Sequence, residues 1–120
     1  MRTLITSTIL ALSAFSAAAG PYDGNYYDRA NGPSGDYCAS ARGNSSAEII
    51  GNEVVFYETS CTLSNPVNVR GMDAQLFDAA CGGEGSTYET RIMLMRPLDS
   101  DGIIVLTDSY MYDWASCSAE

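Results

Sequence analysis

The stretch Thr87–Tyr112 constrains the fold most, because it holds two short apolar runs separated by an abrupt polar break. The runs are Ile92–Met95 and Ile103–Leu106, and the break between them contains a proline and two aspartates before it ends at Gly102. Short apolar segments bounded by Pro, Asp and Gly are typical of strands joined by a turn. We therefore expect a central hairpin in an all-β domain, a small antiparallel barrel or sandwich.

The first 19 residues have the pattern of a secretory signal peptide. Arg2 supplies the positive charge, Leu4–Phe15 is an apolar core, and Ala17–Ala19 is a cleavage site of small residues. The apolar run is too short to span a bilayer. We expect a signal peptide over residues 1–19 and a single domain over residues 20–120, secreted or periplasmic, with no membrane insertion after cleavage.

Four cysteines, Cys38, Cys61, Cys81 and Cys117, follow the predicted signal peptide. An even number in a small exported chain predicts two disulfides. No pair has the C-x2-C spacing of a zinc site. If the hairpin at Gly51-Asn52 continues in register, Cys61 comes to lie near Cys38. The hairpins that follow Cys81 bring Cys117 back to the same end of the sheet, near Cys81. These are the pairings that we expect.

Three local features bear on the strands. Gly51-Asn52 predicts a tight turn that sets Ile49 opposite Val54. The apolar residues of Met72–Cys81 fit both the spacing of a helix and the alternation of a strand, and we interpret the segment as a strand. Strict alternation points Glu58 into the core, so either a bulge or strand end turns it outward, or an arginine neutralises it.

Tyrosines are frequent in the polar segment before Cys38. Tyr26, Tyr27 and Tyr37 lie among Gly, Asn, Ser and Asp, a composition found in adaptable contact loops. Covering the open end of a small core is the alternative role for one or two of these rings. Glu84, at the tip of the Gly-rich loop Gly82–Ser86, is a further candidate contact residue.

Several kinds of chemistry are missing from the composition. The chain has no His and no Lys, which excludes Ser-His-Asp, Cys-His and Ser-Lys catalysis and lysine phosphate clamps. Asp99–Gly102 begins like a calcium loop but lacks its later ligand and glycine, so it predicts a turn. We expect no catalytic residues, no metal site and no cofactor. A pair of carboxylates acting as in a glycoside hydrolase is the remaining enzymatic alternative.

The charge of the chain limits its partners. The chain has fifteen acidic residues and six arginines, which gives a net charge of −9. Loss of Arg2 with the signal peptide leaves a net charge of −10 on residues 20–120. Such a field repels nucleic acid and anionic membranes and attracts cationic proteins. The alternative is that the charge serves only solubility.

The cysteine frame resembles that of a group of small exported bacterial proteins. The shared elements are Tyr57-Glu58 with Cys61, then Cys81–Gly85, then a last cysteine near the C-terminus. The resemblance implies a disulfide-braced β-domain and no activity. A looser similarity to c-type lysozyme inhibitors rests on Ser34–Tyr37, which is one residue shorter than their motif, and we carry no residue over from it.

Taken together, these patterns predict an exported, non-catalytic binding module, with inhibition of a cationic protein as one form of that function. A structural or envelope-associated protein without a discrete ligand is the alternative. The candidate contact residues are Tyr26, Tyr27, Tyr37 and Glu84. The sequence indicates no oligomeric state.

Overall fold

The computed structural model describes residues 20–31, 38, 46–56 and 58–117. They form eight antiparallel strands that close into a barrel in chain order, with the last strand pairing with the first. The strands are β1 (Gly24–Asp28), β2 (Ser46–Ile50), β3 (Glu53–Phe56), β4 (Thr59–Asn68), β5 (Ala74–Gly83), β6 (Ser86–Met95), β7 (Ile103–Leu106) and β8 (Met111–Ser116). The predicted all-β class is confirmed, and the architecture is a barrel.

The predicted hairpins are also confirmed. Leu94 of β6 pairs with Val105 of β7, so the central hairpin turns through the Pro- and Asp-containing break. Ile49 pairs with Val54 across Gly51, whose φ of 59° is readily adopted by glycine. The ambiguous segment is strand β5, in which alternation prevails because β4 and β6 flank it on both sides.

Alternate residues fill the barrel interior. The side chains that point inward are buried and form one cluster: Tyr22, Tyr26, Ala47, Ile49, Val54, Cys61, Leu63, Ala79, Cys81, Ile92, Leu94, Ile103, Val105 and Trp114. The ring centroid of Trp114 lies 6.4 Å from that of Tyr26, 6.2 Å from that of Phe56 and 5.7 Å from that of Tyr112. The interior of the described barrel is therefore a packed core.

The structure pairs the cysteines differently from our prediction. Cys61 is bonded to Cys81, and Cys38 is bonded to Cys117. We predicted that the strand after Gly51 would continue as far as Cys61, and this was wrong. The chain reverses at Glu58, whose φ is 54°, and β4 therefore pairs with β3. Cys61 then lies directly opposite Cys81 in the β4–β5 ladder, with their Cα atoms 4.0 Å apart.

Cys117 lies beside the first strand. Its backbone N–H donates to the carbonyl oxygen of Asn25 at 2.8 Å, and its disulfide ties Cys38 to this point of the barrel seam. The two disulfides are compatible with an oxidising environment. The predicted signal peptide over residues 1–19 lies outside the described residues.

The helical content of the described residues is one short element, a three-residue 3-10 turn at Arg29–Asn31. Nothing in this part of the chain forms a helix with the length and apolarity needed to span a membrane.

Candidate docking face

Two strands in the second half of the barrel are apolar on both faces. β7 reads Ile-Ile-Val-Leu and the end of β6 reads Ile-Met-Leu-Met. Successive side chains of a strand point to opposite faces, so half of each run fills the core and half points outward. Ile103 and Val105 are buried, whereas Leu106 remains 41% exposed.

The register lines up these outward side chains across five strands. Consecutive pairings connect one residue from each of β4 to β8, and together they form what we call the apolar band: Val67, Leu76, Met93, Leu106 and Met111. Strands are spaced about 4.8 Å apart, so the band extends about 19 Å around the barrel. Val67 is 59% exposed and Met111 is 68% exposed. Met95 and Ile104, paired with each other, are half-buried and widen the band on its middle strands.

An open groove lies beside the apolar band on the same outer face. Asp78 and Arg91 are each two residues along their strands from the band residues Leu76 and Met93, so they share its face. The groove has a volume of about 680 Å³. Small side chains, including those of Ser64 and Ala80, line part of it. We call this the acidic groove, because its lining contains Asp78, Glu89 and Asp108 against one arginine.

Hydrogen bonds orient two of the groove carboxylates. Asn65 Nδ2 donates to Asp78 Oδ2 at 2.9 Å, and Thr90 Oγ1 donates to Asp108 Oδ1 at 3.3 Å. Arg91 Nε lies 3.6 Å from Asp78 Oδ1. Both members of this ion pair are well exposed, so water weakens it.

Two other arginines are occupied elsewhere. Arg29 bridges Asp113 at 3.3 Å and Asp101 at 3.5 Å. Asp101, in the predicted turn Asp99–Gly102, therefore accepts hydrogen bonds from the Arg29 guanidinium group. Arg96 donates to the carbonyl oxygen of Pro21 and lies over the Tyr22 ring, 5.6 Å from its centroid. Both guanidinium groups are thus bound to groups that do not line the acidic groove.

The four predicted contact residues do not form one site. Tyr26 is 2% exposed and its hydroxyl donates to the Tyr22 carbonyl at 2.5 Å, so this ring belongs to the core. The prediction of Tyr26 as a contact residue is corrected for that reason. Tyr27 follows it in β1 and is half-buried, and Tyr37 lies outside the described residues.

Glu84 is exposed at the tip of the β5–β6 turn, separated in the barrel order from the tyrosines of β1. Its neighbour is Glu58, at the turn between β3 and β4. A hydrogen bond with Glu58, and then repulsion from its charge, raise the pKa of Glu84. The exposed position of Glu58 confirms that a turn directs it outward.

The apolar band is absent from the predictions made from the sequence, although the sequence contains a signal for it. A strand that is apolar on both faces is typical of sheets covered on both sides. A single-layer barrel has no second layer to cover its outside, so such strands leave one apolar face without cover. Comparison with family models, curated proteins and solved structures finds no match to this chain.

Proposed function

We propose that the mature chain is an exported, non-catalytic binding module, secreted or periplasmic, that docks a basic protein on the outer face of β4–β8. The observation that carries the proposal is the apolar band beside the acidic groove. Protein interfaces usually combine an apolar core with polar groups at its edge. Inhibition of the partner is one form of this function.

Charge selects the partner. The net charge of −10 on residues 20–120 repels a second acidic surface and attracts a basic one. In the groove, Glu89 and Asp108 offer carboxylates on a surface lined by small residues, where a lysine or arginine side chain has room to extend. The band would supply desolvated apolar contacts, which dominate binding free energy, and the acids would mainly accelerate association.

Capture from a native exported-protein extract tests this function. The bait is the oxidised mature chain, compared with the double variant L106S/M111S. The matched control is I50S/L98S, because Ile50 and Leu98 are 60% and 98% exposed and lie outside the band. All four positions are exposed, so we expect changes in stability within about 1 kcal/mol for each variant.

The expected result is one defined basic protein that survives a high-salt wash on wild type and on I50S/L98S. L106S/M111S should retain it about tenfold less well or worse, as is usual when interface hot spots are lost. A mixture of basic proteins that all wash off in salt would refute the proposal. That result would favour a structural protein whose charge serves solubility.

A further inference from the structure

The methionines of the mature chain are all outside the barrel core. They are Met72, Met93, Met95 and Met111, and the first and last are 49% and 68% exposed. Methionine is ordinarily one of the most frequently buried residues. Here three of the four share one outward face, since Met93 pairs through Leu106 with Met111 and Met95 lies two residues along β6.

We propose that these three methionines make the docking face an oxidation-sensitive switch, with Met111 as the first residue modified. The inference rests on the proposed function, because the switch controls binding at that face. Methionine is a common component of adaptable binding surfaces, and its sulfoxide is polar and disrupts such surfaces. The chain carries two disulfides, which are compatible with an oxidising environment where this chemistry can occur.

The chemical step is a two-electron oxygen transfer from a peroxide. A lone pair on the Met111 Sδ attacks one peroxide oxygen, the O–O bond breaks, and the sulfur becomes a sulfoxide. With hydrogen peroxide the other oxygen leaves as water after proton transfer, so sulfur is oxidised and peroxide is reduced. The cysteines are not competing thiols, because all four are in disulfides.

Exposure sets the expected order of modification. Met111 should react first, Met72 next, and the half-buried Met93 and Met95 last. Met72 lies in the β4–β5 turn outside the band, so its oxidation should leave the band apolar. It therefore provides an internal control for oxidation without loss of the docking face.

In the experiment, the mature chain with both disulfides formed and its methionines unoxidised is treated with hydrogen peroxide. Wild type is compared with M93L/M95L/M111L and with M72L. Leucine keeps the band apolar and cannot form a sulfoxide. Peptide mass spectrometry reports which methionines gain oxygen. Retention on a hydrophobic interaction column reports the polarity of the band, and affinity for the captured basic partner reports the switch.

We expect Met111 to be oxidised first, with reduced column retention and about tenfold weaker partner binding for wild type and M72L. The triple leucine variant should keep its binding after peroxide and lose less retention than wild type, because only Met72 can still form a sulfoxide. The inference is overturned if Met93 or Met95 reacts before Met111. It is also overturned if retention is unchanged, if binding persists after Met111 oxidation, or if the triple leucine variant loses binding equally.

Failure of the proposed function gives a separate result. If the untreated wild-type chain captures no defined partner, the binding module is refuted. Mass spectrometry and column retention then still decide whether the band is the oxidation-sensitive surface.

Discussion

Glu58 and Glu84 meet at adjacent turns, both with left-handed backbone conformations, at φ 54° and 49°. The hydrogen bond and the repulsion between them favour a proton on Glu84, so its pKa is raised. A raised carboxyl pKa means that the contact stabilises the fold below the ordinary pKa of glutamate. That contribution is lost as the pH rises through the raised value. The effect is small because both side chains are exposed.

NMR titration of the Glu84 side-chain carboxyl group tests this pair. We expect a midpoint above that of an ordinary glutamate in wild type and a return toward the ordinary value in E58Q. The control is E89Q, which removes a carboxylate from strand β6, away from the Glu58–Glu84 contact. A Glu84 midpoint that is unchanged by E58Q would contradict the contact.

Gly102 is required by a close backbone approach. Its φ is 97°, and a Cβ at this position would lie 2.0 Å from the carbonyl oxygen of Trp114. Gly85 has a similar φ of 79° but open space around it. Gly102→Ala should therefore destabilise the fold by about 3 kcal/mol or more, whereas Gly85→Ala should cost only about 1 kcal/mol for its backbone conformation. Urea unfolding of the two variants measures the difference, and equal losses would contradict the close packing of the β6–β7 loop on β8.

At the scale of elements, the disulfides join different parts of the barrel. Cys61–Cys81 staples adjacent strands at a sequence separation of 20, and Cys38–Cys117 closes a loop with a separation of 79. Loop-closure entropy predicts losses of about 3 kcal/mol for C61A/C81A and about 4.5 kcal/mol for C38A/C117A. Urea unfolding gives this ranking. A smaller loss on removing the long-range bond would contradict its role in tying Cys38 to the barrel seam.

The disulfide pairing can be established by peptide mapping without reduction. Arginines separate all four cysteines, so trypsin places each cysteine in its own peptide. The structure predicts that peptide 43–70 is linked to 71–91 and that 30–42 is linked to the peptide containing Cys117. Linkage of 30–42 to 43–70 would instead support the pairing expected from the sequence.

Two hairpins could be predicted from the sequence because their signals are local. The turn at Gly51 and the break after Met95 fix two hairpins within a few residues. The disulfide pairing and the docking face depend on register between strands, which the sequence specifies only indirectly. A single left-handed residue, Glu58, changed the partner of β4 and with it the neighbour of Cys61.

For the whole molecule, the proposed binding of a basic partner is divided between two neighbouring surfaces. The acidic groove should govern how fast a basic partner arrives, and the apolar band should govern how long it stays. Tyr26 shows why amino-acid composition led to a wrong prediction of a contact residue. A tyrosine-rich segment can serve either a core or a surface, and only packing against Trp114 and Tyr22 assigns this ring to the core.

The kinetics of partner binding at low and high salt distinguish docking on this face from a general effect of charge. The variants are E89Q/D108N in the groove and L106S/M111S in the band. D73N/D99N removes the same charge from exposed positions in the β4–β5 and β6–β7 connections. We predict that E89Q/D108N lowers the association rate and its salt dependence more than D73N/D99N, whereas L106S/M111S mainly accelerates dissociation. Equal effects of the two charge variants, together with an unchanged dissociation rate for L106S/M111S, would contradict docking on this face.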